Sequence, residues 1–131
     1  MSRLIAIALL ASSVLTAPAL ADTAPTCKAS PKVVDKCMTF YGRLSVYTGS
    51  PAIRLWPVGT KQLYGLRGTG DDPENLVLPE KLRNMLATNP IEINGKWEVC
   101  PLEPARPNQL RSVCLESATE LKPVPRAPAA P

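Results

Sequence analysis

The chain has 131 residues, a length that suits one domain, and it carries 15 Lys and Arg against 11 Asp and Glu. It contains no histidine, which removes the commonest general base, the commonest metal ligand and the Ser-His-Asp type of triad. The basic residues are spread out without a dense run, so we predict no nucleic-acid partner. There is no glycine-rich phosphate loop and no C-x-x-C motif, and we predict no cofactor and no metal.

The first 21 residues have the pattern of a cleaved secretory signal peptide. A basic start precedes an apolar run at 4–15, and small residues at 19–21 supply a cleavage site. The apolar run is too short for a membrane-spanning helix, which needs about 20 residues. A lipoprotein signal is disfavoured because Thr26 precedes Cys27 where a small residue is required. We expect cleavage after Ala21 and a periplasmic or secreted mature protein without a transmembrane segment.

Composition divides the remainder of the chain into three parts. Residues 22–35 form a lead-in, and residues 36–120 carry the β-rich pattern of a single domain. Residues 121–131 are rich in Pro and Ala and lack core residues. We expect this tail to be extended or disordered, with a proline-rich ligand for a partner groove as the alternative.

The stretch 42–60 predicts the central hairpin of the domain. Its turn at 48–51 combines Gly, which accepts positive φ, with Pro, which fixes φ. Hydrophobic residues alternate on both sides of this turn, which predicts two paired strands at 36–47 and from 53 onward. The register that buries the aliphatic side chains pairs Leu44 with Leu55, Val46 with Ile53, Arg43 with Trp56 and Ser45 with Arg54.

The same register builds an outer face of aromatic and arginine side chains: Tyr41, Arg43, Tyr47, Arg54 and Trp56. One interpretation is a recognition surface, in which Arg43, Tyr47, Arg54 and Trp56 contact an envelope protein or an anionic glycan. The other interpretation is structural, with the rings covered by the rest of the fold and each arginine stacked on a ring.

Beyond the hairpin, residues 61–66 predict a third strand and residues 67–75 an acidic loop. The oxygen donors of this loop suit calcium, but their spacing does not match an EF-hand, so a solvated loop is the preferred interpretation. Residues 78–88 predict a helix, with Pro79 in its first turn and its apolar side chains on one face.

The last third of the domain contains further predicted strands. Residues 91–101 indicate a second hairpin with a three-residue turn at Asn94–Lys96, which sets Ile93 against Trp97. A proline-containing loop follows, and residues 111–117 return as the closing strand.

Four cysteines in an exported chain of this size predict two disulfides, for which three pairings are possible. Alternation places Cys100 and Cys114 on the outer face of their strands, where pairing of the strands would let the sulfurs bridge. We therefore predict a Cys100–Cys114 disulfide, which leaves Cys27 to pair with Cys37.

The motif GRLSxYxGxPxxRxWPxGT at 42–60, with EVCP at 98–101 and VCxESA at 113–118, resembles a group of small exported proteobacterial proteins of unknown function. The match covers most of the mature domain. The resemblance implies an exported, disulfide-bearing β domain and brings no catalytic residue.

These elements predict a mostly β fold, stabilised by disulfides: a partly open barrel of OB or SH3-like type with one short helix, or a small antiparallel sheet with the helix packed across it. The first functional hypothesis is a non-enzymatic binding or envelope-associated module without catalytic residues. The first alternative is an inhibitor of a secreted hydrolase such as lysozyme, acting through the loop Gly68–Asn75. The second alternative is a weak hydrolase that uses acids alone: Asp71, Asp72, Glu92 and Glu98.

Overall fold

The computed structural model describes residues 12–15, 27–88 and 92–125. Of the predicted signal peptide only 12–15 fall within these ranges. The predicted cleavage site and the end of the tail, 126–131, lie outside them. In the described part of the chain, no helix is long and apolar enough to cross a membrane.

Within the described residues, a short 3₁₀ helix at Cys27–Ala29 precedes five strands and one α-helix. The strands are β1 (Met38–Val46), β2 (Ile53–Pro57), β3 (Tyr64–Leu66), β4 (Glu92–Pro101) and β5 (Arg111–Val124). The helix α1 (Glu80–Thr88) lies between β3 and β4.

The strands close into a barrel in the order β1-β2-β3-β5-β4, with β4 returning to β1. Neighbouring strands are antiparallel apart from β3 and β5, which are parallel. This order, with a helix between β3 and β4, is that of an OB barrel. The mostly β prediction is therefore confirmed. The barrel is closed rather than partly open, because the β3–β5 and β1–β4 pairings leave no free edge.

The predicted register of the central hairpin is confirmed at each predicted pair, including Arg43 with Trp56. The long strand β1 pairs with β2 through 42–46 and with β4 through 38–44. In the loop that joins β1 to β2, Gly49 has a φ of 96°, a conformation that glycine adopts readily. Because β1 is shared by two neighbours, its outward side chains meet those of both β2 and β4.

The indole of Trp97 lies in the barrel interior and is fully buried. Its N–H donates a hydrogen bond of 2.9 Å to the carbonyl oxygen of Gly42 on β1. Gly42 is the register partner of Gly95 on β4, and a Cβ on Gly95 would lie 3.1 Å from the indole. The glycine at 95 therefore leaves room for the ring. The same core contains aliphatic side chains from all five strands and the helix: Leu44, Leu55, Leu66, Leu82, Ile93, Val99 and Val113.

The predicted hairpin with a turn at Asn94–Lys96 is wrong, because these residues lie inside the continuous strand β4. An Asn-Gly pair is a strong local turn signal, but here the glycine serves the contact between two strands. A Cβ on Gly95 would lie 2.8 Å from Leu121 Cδ2 and 3.2 Å from the carbonyl oxygen of Thr119, both on β5. The close approach of β5 thus explains the glycine.

The strand β5 ends at Val124, beyond the predicted domain boundary at 120. Its pairing with β4 shifts register twice, and Glu120 at the second shift has a φ of 53°. After this irregularity Leu121 is buried in the core. A bulge interrupts the alternation of inward and outward side chains along β5. For this reason the sequence pattern assigned residues 121–124 to the tail and not to the strand.

The helix α1 begins at Glu80, two residues later than predicted, and Pro79 directly precedes it. Leu82 is fully buried, and Met85 and Leu86 are partly buried against the barrel core. The helix thus packs one apolar side on the barrel, in line with its predicted amphipathic pattern.

The predicted disulfide pairing is wrong: Cys27 bonds Cys114, and Cys37 bonds Cys100. The predicted faces are nevertheless correct, since Cys100 and Cys114 are register partners on β4 and β5. Each of them forms a disulfide with a cysteine in the segment before β1, and not with the cysteine opposite it on the neighbouring strand. Alternation identifies the face on which a sulfur lies, but it carries no information about a distant segment that crosses that face.

The segment from Cys27 to the start of β1 lies across the ends of β4 and β5. The N–H of Val34 donates to the carbonyl oxygen of Pro101 at 3.0 Å. The N–H of Lys28 donates to Glu116 Oε2 at 2.6 Å. The described part of the predicted lead-in is therefore hydrogen-bonded to the barrel as well as cross-linked to it.

The two tryptophans provide a matched test of the core. We expect Trp97→Phe to lower the free energy of unfolding by about 2–4 kcal/mol, because it removes buried ring volume and leaves the Gly42 carbonyl without its donor. Trp56→Phe, on the surface, should cost less than about 1 kcal/mol. Urea unfolding of both variants measures this, and equal losses would contradict the central role of Trp97.

Peptide mapping under non-reducing conditions should link Cys27 to Cys114 and Cys37 to Cys100. Replacing either pair with serines should lower the free energy of unfolding by about 2–5 kcal/mol, because each disulfide closes a long loop. The sequence separations, 87 and 63, are close enough for similar losses. A peptide linking Cys27 to Cys37 would contradict the structure.

Candidate binding face

Outward side chains of β1, β2 and the residue after β1 form one patch, which we call the β1–β2 face. Alternation places them there, since their neighbours Leu44 and Leu55 point into the core. The face consists of Tyr41, Arg43, Ser45, Tyr47, Arg54 and Trp56. It therefore includes all four residues that were predicted to contact a partner.

Arg54 and Tyr47 make a defined contact on this face. The guanidinium carbon of Arg54 lies 4.6 Å from the centroid of the Tyr47 ring. Arg54 Nε donates to the carbonyl oxygen of Pro51 at 3.0 Å. Among the described residues, the two terminal nitrogens of Arg54 have no hydrogen-bond partner. The guanidinium is thus held in place with its terminal donors available to an acceptor.

The loop between β1 and β2 covers the outside of β3, so the β1–β2 face does not extend beyond β2. Pro51 is buried, and a Cβ on Gly65 would lie 2.3 Å from Pro51 Cγ and 2.8 Å from Leu110 Cδ2. Gly65 is the register partner of Arg54. The outside of β3 is therefore covered, and the exposed surface begins at β2.

Trp56 lies on β2 opposite Arg43, and 38% of it is exposed. Its indole N–H donates to the carbonyl oxygen of Thr60 at 2.7 Å, and the Thr60 hydroxyl donates to the carbonyl oxygen of Pro57 at 2.9 Å. The turn that follows β2 therefore satisfies the polar atom of the indole and fixes the orientation of the ring.

The other two rings of the face are more exposed, Tyr47 by 46% and Tyr41 by 59%. Both have a cation beside them: Arg54 on Tyr47, and Lys96 Nζ at 5.7 Å from the centroid of Tyr41. Arginine stacking, which the structural interpretation expected, is present at Arg54. Covering of the rings, which it also expected, is not found for these three residues, and they present apolar area to solvent.

Arg43 differs from Arg54 because its charge is compensated. Arg43 Nη1 lies 3.0 Å from Glu92 Oε2, and Arg43 Nε donates to Asn94 Oδ1 at 3.3 Å. Both partners belong to β4, so Arg43 links β1 to β4 across the outside of the barrel. It contributes a half-exposed surface but fewer available donors than Arg54.

The strand β4 extends the face with Glu92, Asn94 and Lys96, which the predicted turn at Asn94–Lys96 excluded from it. A signal was present, because polar side chains alternate with Ile93, Gly95, Trp97 and Val99 over residues 92–99. A period of two over eight residues is that of one strand, and its outward side lies beside the outward side of β1.

Tyr41 reaches across β4 to β5. Its hydroxyl hydrogen-bonds the carboxylate of Glu120, and this hydrogen bond raises the pKa of Tyr41 above the ordinary value of 10.0. The negative charge of Glu120 acts in the same direction, since it disfavours a phenolate nearby. The contact orients the ring at the edge of the face.

Glu92 and Glu98, two of the acidic residues proposed for a hydrolase, do not form one site. Glu92 and Glu98 are six residues apart on β4, which corresponds to about 20 Å along a strand. Glu92 pairs with Arg43, and Glu98 Oε1 lies 3.4 Å from Lys28 Nζ. Among the residues that the structure describes, carboxylates form no group of three that could hold a metal ion.

The acidic loop is braced by its own contacts. The carboxylate of Glu74 accepts hydrogen bonds from Arg67 and from the hydroxyl of Ser50. The N–H of Gly68 donates to the carbonyl oxygen of Pro73 at 2.7 Å. These contacts attach the loop to the β1–β2 loop, while the predicted donors Asp71 and Asp72 remain exposed.

A cleft of about 430 Å³ lies between the segment 66–79, the 3₁₀ helix and β5. Its lining is largely apolar and includes Leu66, Leu76 and Leu115. The disulfide partners Cys27 and Cys114 also line it.

No family model, curated protein or solved structure matches the chain. Function is therefore inferred from the barrel and from the chemistry of its surface. The β1–β2 face combines exposed rings with an arginine whose terminal donors are available.

Replacement of Glu120 by Gln should lower the pKa of Tyr41 toward 10.0, because the carboxylate that favours the protonated phenol is removed. The phenol titration can be followed by NMR of the tyrosine rings. The unmodified protein, followed in parallel under the same conditions, is the control. An unchanged Tyr41 titration would contradict the hydrogen bond across β4.

Proposed function

We propose that this protein is an exported, non-enzymatic module that binds an anionic glycan through the β1–β2 face. The observation that carries the proposal is a row of exposed rings beside Arg54, whose terminal nitrogens have no hydrogen-bond partner among the described residues. OB barrels are a common scaffold for binding oligosaccharides and oligonucleotides. Export is supported by the N-terminal sequence pattern and by the two disulfides, which persist in oxidising compartments.

The rings provide the apolar part of the proposed contact. Ser45 on β1 is buried, with Tyr47 two residues after it and Trp56 two residues beyond its register partner Arg54. A pyranose ring presents C–H groups on its faces, and these pack well against flat aromatic surfaces. Large rings on both sides of a small residue therefore suit an extended chain of sugar rings.

Arg54 provides the polar part of the proposed contact. A planar guanidinium donates two parallel hydrogen bonds to a carboxylate, sulfate or phosphate group. The stack on Tyr47 and the hydrogen bond to Pro51 already hold this guanidinium in one position. Little side-chain entropy is then lost on binding, which favours affinity.

The charge around the face favours a sparsely charged polymer over nucleic acid. The cations Arg43, Arg54 and Lys96 share the surface with the carboxylates of Glu92 and Glu120. Tight binding of nucleic acid requires a nearly continuous basic surface, because phosphates follow one another closely. A glycan with one anionic group per sugar or fewer avoids most of the repulsion from the two carboxylates.

The test compares the mature protein with an Arg54→Ala, Trp56→Ala variant on a panel of carboxylated, sulfated and phosphorylated glycans. We expect the variant to bind the preferred glycan about 100-fold or more weakly, because truncation of central Trp and Arg residues typically costs about 2 kcal/mol or more. Calorimetry measures the affinity. If a polyuronate is preferred, its carboxyl-reduced form should bind much more weakly.

A Val77→Ala, Arg83→Ala variant is the matched control, since both residues are exposed and lie outside the β1–β2 face. It should bind like the unmodified protein. Binding that survives in the Arg54→Ala, Trp56→Ala variant would refute the face. Failure of every anionic glycan to bind, or capture of an envelope protein by the unmodified chain alone, would refute the glycan assignment.

A further inference from the structure

We propose that this protein has a second site, which binds a small aliphatic amine. The site is the cleft of about 430 Å³ between the segment 66–79, the 3₁₀ helix and β5, which we call the aliphatic cleft. The alkyl chain of the ligand lies between the apolar walls, and its ammonium group binds the carboxylate of Glu116. This inference is independent of glycan binding, because the aliphatic cleft and the β1–β2 face share no residue.

The size and the lining of the aliphatic cleft suit a small apolar ligand. Sites for small molecules typically enclose about 300–1,000 Å³ and combine apolar walls with a few polar groups. The apolar side chains of the walls are aliphatic: Leu66, Leu76, Val77, Leu78, Pro79 and Leu115. None of the described residues in the lining is aromatic, so the cleft offers no flat surface on which a planar ring could stack. A flexible alkyl chain fits such walls better.

The aliphatic lining is more than the edge of the barrel core. Leu66 belongs to the core, and Leu76, Leu78 and Leu115 pack against it while remaining partly exposed. Val77 is 80% exposed and is not among the side chains that pack against the core. Folding therefore leaves apolar surface uncovered at a concave place, as in grooves that bind a ligand.

The charged side chains of the lining select the head group of the ligand. They are Arg67 and Glu116, and Arg67 is neutralised by an ion pair with Glu74. Glu116 Oε2 accepts the N–H of Lys28 at 2.6 Å, but no cation in the described part of the chain pairs with this carboxylate. An ammonium group on the ligand supplies the missing counter-charge, whereas a carboxylate on the ligand is repelled.

The lysines beside the aliphatic cleft are bound elsewhere. Lys28 Nζ lies 3.4 Å from Glu98 Oε1, and Lys32 Nζ donates to the carbonyl oxygen of Gly70 at 2.8 Å. Neither lysine is among the residues that line the cleft. The uncompensated charge of the lining is therefore negative.

The walls are held in position before a ligand binds. The N–H of Arg67 donates to the carbonyl oxygen of Val113 at 2.9 Å, directly after the pairing of β3 with β5. On the other side, the disulfide between Cys27 and Cys114 attaches the 3₁₀ helix to β5. A site whose walls are already fixed loses little conformational entropy on binding.

The test compares three ligands of equal chain length, octylamine, octanol and octanoate, by calorimetry with the mature protein. We expect octylamine to bind about 10-fold more tightly than octanol, because a charge-assisted hydrogen bond replaces a neutral one, and octanoate to bind most weakly. Hexylamine should bind about 10-fold more weakly than octylamine, since two fewer methylene groups are buried. In methyl NMR spectra octylamine should shift Leu76, Val77 and Leu115, with Leu44 as the unshifted reference.

A Glu116→Gln variant keeps an acceptor for the N–H of Lys28 but removes the charge. It should lose the preference for octylamine over octanol, and its unchanged affinity for octanol shows that the cleft is intact. Glu80→Gln alters an exposed carboxylate outside the lining and should keep the preference.

The ranking of the ligands and the methyl shifts require no variant, so they test the site even where a substitution impairs folding. Absence of binding, equal affinities for the three ligands, or methyl shifts confined to other parts of the barrel would overturn the proposal. The same holds for a preference for octylamine that persists in Glu116→Gln.

Discussion

The hydrogen bond from the buried indole of Trp97 to the carbonyl oxygen of Gly42 connects β4 to β1 inside the barrel, and much of the fold depends on it. The bond satisfies a donor that would otherwise be buried at a cost of about 1–3 kcal/mol. The ring fits because residue 95 is a glycine, at which a Cβ would lie 3.1 Å from the indole. A Cβ on Gly42, the register partner of Gly95, would lie 2.6 Å from the carbonyl oxygen of Trp56 on β2. One glycine therefore makes room in the core, and the other allows the close contact of β1 with β2.

The outer surface of β4 connects the β1–β2 face with the disulfides. Near its start, Asn94 and Glu92 hold Arg43 of the β1–β2 face. At its end, Cys100 is bonded to Cys37, about 20 Å from Asn94 along the strand. The Trp97 side chain points into the core between these positions. The disulfide and the contacts of Arg43 therefore lie on separate parts of one strand that is anchored in the core by its tryptophan.

Local patterns predicted the parts of the fold that depend on local geometry. The β1–β2 register followed from alternation around a short turn, and the four predicted contact residues lie on one face as a result. The continuity of β4 could not be recognised from Asn94–Gly95, because the pair has the same composition as a turn and the reason for its glycine lies on β5. The disulfide partners were missed for a similar reason. Alternation along a strand specifies the side on which a cysteine lies. Its disulfide partner depends on the path of a segment more than 60 residues earlier in sequence.

The contrast between the two arginines of the face decides where specificity can reside. Arg43 has a carboxylate partner at 3.0 Å, so a ligand that recruits it must compete with Glu92. Arg54 is oriented by a ring and a carbonyl oxygen, and neither of these neutralises its charge. A ligand gains little from a cation that is already paired. Arg54 has no counter-ion in the part of the chain that the structure describes, so a ligand anion gains the full charge-assisted hydrogen bond there. An anionic group should therefore bind at Arg54, with the rings of Tyr47 and Trp56 selecting what is attached to it.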